Sequence, residues 1–132
     1  MARLLLALAA VALLSSCAHM APGRSGEPTP VDVYANADGY LVVNQEPIYV
    51  KAKDARITWR LPAVGGLTFA PGAERIIVTE SPPGEFKCEV ADAGKTLVCI
   101  DRNSKPGRYK YMLTVQQDGK RLEPLDPSIV NH

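Results

Sequence analysis

The chain has 132 residues, and its 15 basic and 14 acidic side chains leave it close to neutral. This length suits one domain with a modest core, and a neutral chain is a poor partner for the phosphates of DNA or RNA. A hydrophobic content of 46% argues against disorder, while 11 prolines and 10 glycines argue against a helical bundle. The composition therefore predicts one folded domain that does not bind nucleic acid.

The first residues have the form of an export signal. Arg3 precedes an uninterrupted apolar run, Leu4–Leu14. As a helix, eleven residues cover about 17 Å, against about 30 Å for the hydrocarbon core of a bilayer. The run is too short to span a membrane and has the length of a signal-peptide core. It ends in Leu14-Ser15-Ser16-Cys17, which resembles the lipobox of bacterial lipoproteins. An ordinary secretory signal with an incidental cysteine is the alternative.

The lipobox resemblance implies that residues 1–16 are a signal peptide and that Cys17 is acylated. Two or more acyl chains hold a protein stably on a bilayer, so the membrane would be a partner through Cys17. Residue 18 is Ala rather than the Asp associated with inner-membrane retention. By that resemblance we expect a cell-envelope protein, anchored in the outer membrane and facing the periplasm, with surface display as the alternative.

Residues 17–30 are predicted to be the lipidated cysteine and a flexible linker. Three prolines and two glycines in this stretch disfavour regular structure. An extended linker of this length reaches about 40 Å at about 3.1 Å per residue. His19 lies in it without a second ligand at a suitable spacing, so we interpret it as part of the linker rather than as a metal ligand.

The remaining residues, 31–132, are predicted to form an all-β domain. From Gly72 onward, turn signals recur every 11–13 residues or so, which suits strands better than helices. Alternation places Ile57, Trp59 and Leu61 on one face of their strand and Arg56 on the other. We predict strands near 31–35, 40–43, 48–51, 56–61, 67–69, 75–79, 85–91, 95–101, 108–117 and 128–131.

Seven to nine such strands favour an immunoglobulin-like antiparallel β-sandwich, with a small closed β-barrel as the alternative. In the long strand near 108–117, the pattern directs Thr114 outward and four residues inward: Tyr109, Tyr111, Leu113 and Val115. The likeness to immunoglobulin domains is architectural only, because Trp59 precedes both of the later cysteines instead of lying between them.

The two cysteines that remain are predicted to form a disulfide. Export places Cys88 and Cys99 in an oxidising compartment. Both are equally far from the turn at 92–95, so they face each other across a hairpin in a non-hydrogen-bonded pair. Cα atoms in such a pair lie about 4.5 Å apart, which suits a disulfide. We interpret the bond as structural, because a C-x-x-C motif is absent.

The sequence offers no catalytic site and predicts no enzyme, cofactor or metal centre. The histidines, His19 and His132, are peripheral, and no nucleophile motif or phosphate loop occurs. A catalytic carboxylate pair is the alternative for the acidic residues. Solvated outer-face positions are nevertheless the expectation for four scattered acids: Glu74, Glu80, Glu85 and Glu89.

Two groups of residues are suited to binding. A basic cluster is a possible surface for an anionic partner, although charges also protect edge strands from pairing: Lys51, Lys53, Arg56 and Arg60. Three tyrosines can stack on a sugar or centre an interface, although packing in the core with the hydroxyl at its boundary is commoner: Tyr34, Tyr40 and Tyr49.

Several segments together resemble a group of small proteobacterial exported proteins with a disulfide-bonded β domain: "RITWRLP", "FKCEV", "LVCID", "PGRYKYMLTV" and "LDPSIVN". The resemblance covers about residues 42–131 and carries no activity with it. C-type lysozyme inhibitors are also small, β-rich and often lipidated. This chain lacks their Ser-Gly-x-Arg-Tyr segment, to which Pro106-Gly107-Arg108-Tyr109 is the nearest approach.

We therefore expect a lipid-anchored envelope protein that acts without chemistry, as a binding or scaffold module for another envelope protein. The alternative is an enzyme inhibitor of the lysozyme-inhibitor kind, or a glycan-binding module.

Overall fold

The computed structural model describes residues 25–132, and the regular structure in this range is strand apart from two 3₁₀ turns. The prediction of an all-β domain is confirmed. The signal segment, Cys17 and the linker as far as residue 24 lie outside the described residues. No helix in the described part has the length and apolar character needed to cross a bilayer. The turns are Gly72–Arg75 and Asp92–Gly94, and the strands are β1 (Val31–Ala35), β2 (Leu41–Val43), β3 (Ile48–Val50), β4 (Ala55–Arg60), β5 (Leu67–Phe69), β6 (Ile76–Val78), β7 (Phe86–Ala91), β8 (Thr96–Asp101), β9 (Gly107–Leu113), β10 (Val115–Gln117), β11 (Lys120–Arg121) and β12 (Ser128–Asn131).

These strands form three sheets with the orders β2-β1-β4-β8-β7, β11-β10-β5 and β3-β12-β9-β6. The expectation of purely antiparallel pairing is wrong, because β1 runs parallel to β4 and β12 runs parallel to β3. Each parallel pair joins strands that are remote in sequence, which local patterns do not report. The sheets do not close on themselves, so the alternative of a closed barrel is wrong.

One apolar core joins all three sheets. The predicted alternation in β4 is confirmed, since Ile57 and Trp59 are buried. The Trp59 ring lies 5.4 Å from that of Tyr111, and its Nε1 donates a hydrogen bond of 3.2 Å to the Tyr111 hydroxyl. This contact links the five-stranded sheet to the four-stranded one.

The strand predicted near 108–117 is interrupted at Thr114. β9 belongs to the four-stranded sheet and β10 to the three-stranded sheet. Between them, the Thr114 N–H donates to the Arg75 carbonyl at 3.1 Å, and the Thr114 carbonyl accepts from the Ala70 N–H at 2.9 Å. Thr114 is buried, so its predicted outward position is wrong. The inward positions predicted on either side of it are confirmed.

The predicted disulfide between Cys88 and Cys99 is confirmed. The cysteines are partners in the β7–β8 register, with Cα atoms 4.0 Å apart, as expected for a non-hydrogen-bonded pair. Positive φ at Asp92, Ala93 and Gly94 produces the tight turn between the two strands. The bond holds β7 at the margin of its sheet.

Residues 25–30, the described end of the predicted linker, form no strand but bond to the domain. The Gly26 carbonyl accepts from the backbone N–H groups of Lys51 and Ala52, at 3.2 and 3.3 Å. Glu27 Oε1 accepts from the backbone N–H of Arg56 at 3.2 Å. The ordered contacts therefore begin before β1.

Candidate functional site

The four predicted basic residues are divided between two places. Lys51 and Lys53 lie in the β3–β4 connection, where Lys53 Nζ donates to the Asn103 carbonyl at 2.7 Å. Arg56 and Arg60 lie on the outer face of β4, and Arg60 forms a 2.9 Å ion pair with Asp32. β4 lies between β1 and β8, so the interpretation of these charges as edge protection is wrong. Their use as a binding surface stays a prediction.

The three tyrosines lie at the surface. Tyr34, Tyr40 and Tyr49 are 44%, 59% and 50% exposed, so their interpretation as core residues is wrong. Tyr49 stacks on the ring of His132 with centroids 5.7 Å apart. Tyr34 lies on β1 and Tyr40 lies in the turn before β2, both in the part of the chain that forms the five-stranded sheet. Tyr49 lies on β3, which belongs to the four-stranded sheet.

A groove of about 380 Å³ lies between β6 and β7, where the margins of two sheets face each other without pairing. We call it the edge groove. The Ser81–Gly84 loop forms one wall, and its sequence Ser-Pro-Pro-Gly favours a turn over a strand. Its lining is mixed apolar and polar: Ala73, Arg75, Ile76, Val78, Ser81, Pro82, Pro83, Gly84, Glu85, Phe86 and Cys88.

Both strands that border the edge groove have backbone groups without a strand partner. On β6, hydrogen bonds from Thr79 N to the Lys110 carbonyl and from Thr114 N to the Arg75 carbonyl flank the ladder with β9. In that antiparallel register, the N–H and C=O groups of Ile76 and Val78 point away from β9. No strand of the described chain pairs with this margin.

The margin of β7 follows the same rule. Because Cys88 opposes Cys99 in a non-hydrogen-bonded pair, the backbone groups of Phe86, Cys88 and Val90 point away from β8. Arg75 crosses the groove, and its Nη2 donates to the Cys88 carbonyl at 2.6 Å. The Arg75 guanidinium therefore satisfies one backbone acceptor of β7, and charged side chains commonly protect edge strands in this way.

The side chains of these two margins are half-buried and apolar, and they pack against the core from its open side: Ile76, Val78, Phe86, Cys88 and Val90. The Phe86 ring meets the Tyr109 ring edge-on, at 6.2 Å and 75°. The groove thus combines an apolar floor with unpaired backbone donors and acceptors.

Glu85 lies at the end of the groove and is buried, so its predicted solvated position is wrong. Ser104 accounts for this burial, because its N–H and hydroxyl donate to the two carboxylate oxygens at 2.7 and 2.5 Å. The Glu85 N–H also donates to the Pro82 carbonyl at 3.1 Å and closes the loop. With both oxygens engaged by Ser104, the carboxylate fixes this end of the groove.

A second buried acid, Asp101, lies at the end of β8 and escaped the sequence reasoning. Its Oδ1 accepts from the Asn103 N–H at 2.8 Å and from Asn131 Nδ2 at 3.2 Å. Burial raises the pKa of Asp101, and the nearby negative charge of Glu85 adds to the rise. The alternation of β8 was a usable signal, since Asp101 continues the buried face of Leu97 and Cys99.

The segment compared with lysozyme inhibitors lies at the start of β9. The Tyr109 side chain is buried, and its hydroxyl donates to the Lys105 carbonyl at 2.9 Å. The pKa of Tyr109 is raised by burial and by the charges of Glu85 and Asp101. Arg108 donates to the Ser128 hydroxyl at 2.9 Å. The side chains of Arg108 and Tyr109 thus lie on β9 and bond within the domain, and neither lies on a free loop.

Among residues 25–132, no group of three His, Cys, Asp or Glu side chains is placed to hold a metal ion. The sequence matches no protein-family profile and no curated protein. The edge groove is therefore the site on which a functional proposal can be built from geometry.

Proposed function

We propose that this protein is a lipoprotein, acylated at Cys17 on the periplasmic face of the outer membrane, whose β domain binds an extended segment of another envelope protein. Binding involves no chemical step. The lipobox-like sequence before Cys17 supports the anchor, and the Cys88–Cys99 bond suits an oxidising compartment.

The observation that carries the proposal is the pair of unpaired sheet margins on the two sides of the edge groove. An extended peptide that adds to a sheet margin gains main-chain hydrogen bonds, and pockets for alternate side chains give selectivity. Ile76 and Val78 offer backbone groups on one side, and Phe86 and the N–H of Cys88 offer them on the other. The occupant that fits this chemistry is a strand with small apolar side chains at alternate positions.

The five-stranded and four-stranded sheets serve in this proposal as the two layers of an immunoglobulin-like sandwich. The contact between Trp59 and Tyr111 supports that arrangement, since it joins the two sheets through the core. The edge groove then lies along one open side of the sandwich.

Tethering to a membrane favours the binding of a partner even when the groove itself binds weakly. Since Gly26 and Glu27 already bond to the domain, only residues 18–25 separate Cys17 from it. At about 3.1 Å per residue, this stretch reaches about 25 Å, compared with about 40 Å for a free linker up to residue 30. The domain is held close to the membrane, and this confinement raises the effective concentration of partners there.

Proline substitution in an edge strand tests the groove directly. Val78→Pro removes a backbone N–H that points into the groove, while the ladder to β9 keeps its bonds. Val43→Pro is the matched control, because Val43 is also the last residue of a three-residue edge strand and lies in a non-hydrogen-bonded pair with Val33. The hydrogen bond from Asn44 N to the Asp32 carbonyl fixes that register.

The readout is site-specific photo-cross-linking in intact cells, from a probe placed at Ser81 in the groove wall. We expect a defined cross-linked partner that disappears with Val78→Pro and persists with Val43→Pro. A partner that cross-links equally in both variants, or only from a probe at Tyr34 on the outer face of β1, would contradict the groove as the binding site.

A further inference from the structure

Three buried side-chain oxygens near the end of β12 have no hydrogen-bond donor: Asp101 Oδ2, Asn103 Oδ1 and Asn131 Oδ1. Their residues are only 0%, 2% and 3% exposed. Buried polar atoms in folded proteins nearly always have a partner. Three acceptors without a donor therefore call for a positively charged or proton-donating group at this end of β12.

Hydrogen bonds join these residues into one cluster and fix their orientation. Asn131 Nδ2 and the Asn103 N–H both donate to Asp101 Oδ1. Asn103 Nδ2 donates to the carbonyls of Ala52 and His132, each at 3.2 Å. Rotating the Asn103 amide would place its oxygen against two carbonyl oxygens, and rotating that of Asn131 would place its oxygen against Asp101 Oδ1. The unpaired atoms are thus oxygens, held in place by the nitrogens beside them.

We propose that this cluster binds a hard metal cation through Asp101 Oδ2, Asn103 Oδ1 and Asn131 Oδ1. A carboxylate and amide carbonyls are the ligands that such cations, Ca²⁺ among them, prefer in proteins.

The charge of the cluster favours the same occupant. Asp101 supplies one negative charge in a buried position, and Glu85 adds a second close enough to act on it. The nearby ammonium of Lys53 donates to the backbone carbonyl of Asn103 and not to the three unpaired oxygens. A bound cation neutralises a carboxylate that water does not reach.

The cation joins three parts of the chain. Asp101 ends β8, Asn103 lies in the loop that follows, and Asn131 ends β12 between β3 and β9. Binding therefore stabilises β12, an inner strand of the four-stranded sheet, against the five-stranded sheet. This role is independent of the edge groove.

Thermal unfolding of the full chain after treatment with a chelator tests the site. Ca²⁺, Mg²⁺ and Na⁺ are added separately, with choline chloride holding the ionic strength constant. At about ten times its Kd, the preferred cation should raise the Tm by roughly 5–10 °C. Asp101→Asn removes the charge and supplies an NH₂ donor to the same oxygens, so this variant should fold and lose the response.

Two further variants distinguish cation binding from a general change in stability. Asn131→Asp adds a second carboxylate, so it should lower the Tm in chelator and enlarge the rise on adding a divalent cation. Glu89→Gln is the control, because Glu89 is exposed on β7 and has no contact with the cluster, so the cation response should remain. No response of the wild type to any of the three cations would overturn the proposal, as would an unchanged response in Asp101→Asn. Unfolding that depends on pH through Asp101 but on no cation would assign the missing donor to its own proton.

Discussion

Removing the bond between Cys88 and Cys99 should lower the free energy of unfolding by about 3 kcal/mol. The bond closes a loop with a sequence separation of 11, and the loss of loop-closure entropy at this length corresponds to about 3 kcal/mol at 25 °C. β7 lies at the margin of its sheet, with β8 as its one strand partner in the described chain. For a domain of about 100 residues, the change corresponds to a Tm lower by roughly 10–20 °C.

The measurement is urea denaturation followed by tryptophan fluorescence. Trp59 is the one tryptophan of the chain and is fully buried, so its emission reports unfolding of the core. Wild type with and without reductant is compared with the Cys88→Ala/Cys99→Ala double variant, on which reductant should have no effect. A difference below about 1 kcal/mol between oxidised and reduced wild type would refute the entropic reasoning.

Cys17→Ser should release the protein from the membrane fraction with an unchanged Tm, and a variant that still sediments with membranes would contradict lipidation at that residue. Trp59→Phe removes the hydrogen bond to Tyr111 and should lower the free energy of unfolding by roughly 2–3 kcal/mol. Tyr111→Phe completes a double-mutant cycle, and losses that simply add would show that the bond is not made. The raised pKa of Asp101 gives a stability contribution that is full below the ordinary value of 3.8 and is lost as the pH rises through the folded value. In chelator, the wild type should therefore lose Tm relative to Asp101→Asn as the pH rises above 3.8, and parallel profiles would contradict the shift.

The sequence located most strands because burial on one face leaves a period of two. β4 illustrates this, with Ile57 and Trp59 buried and Arg56 and Arg60 exposed. The hairpin of the two cysteines was equally accessible, since its register depends on one short turn. In both cases the information is local, and neighbouring residues suffice to read it.

Pairings between distant segments were not accessible in this way. Nothing in β1 or β12 indicates a parallel partner, and the interruption at Thr114 depends on carbonyl and amide groups of Arg75 and Ala70. Glu85 follows a loop, and its position alone predicts an exposed side chain. Its burial depends on hydrogen bonds from Ser104, 19 residues later in the chain. The cluster around Asp101 escaped for the same reason, because its residues come from segments that only the fold brings together. The edge groove is lined by one stretch, 73–88, but the absence of a partner at its margins depends on where β8 and β9 pair.

The contacts of Gly26 have a mechanical consequence. A pull on the chain at residue 25 meets first the bonds from Lys51 and Ala52 to the Gly26 carbonyl, and then β1, which lies between β2 and β4. The ladder bonds of β1 run across the strand direction, so a force along β1 loads them together in shear instead of breaking them in turn. β7 lies at the far margin of the same sheet, and β4 and β8 separate it from the strand that takes this load.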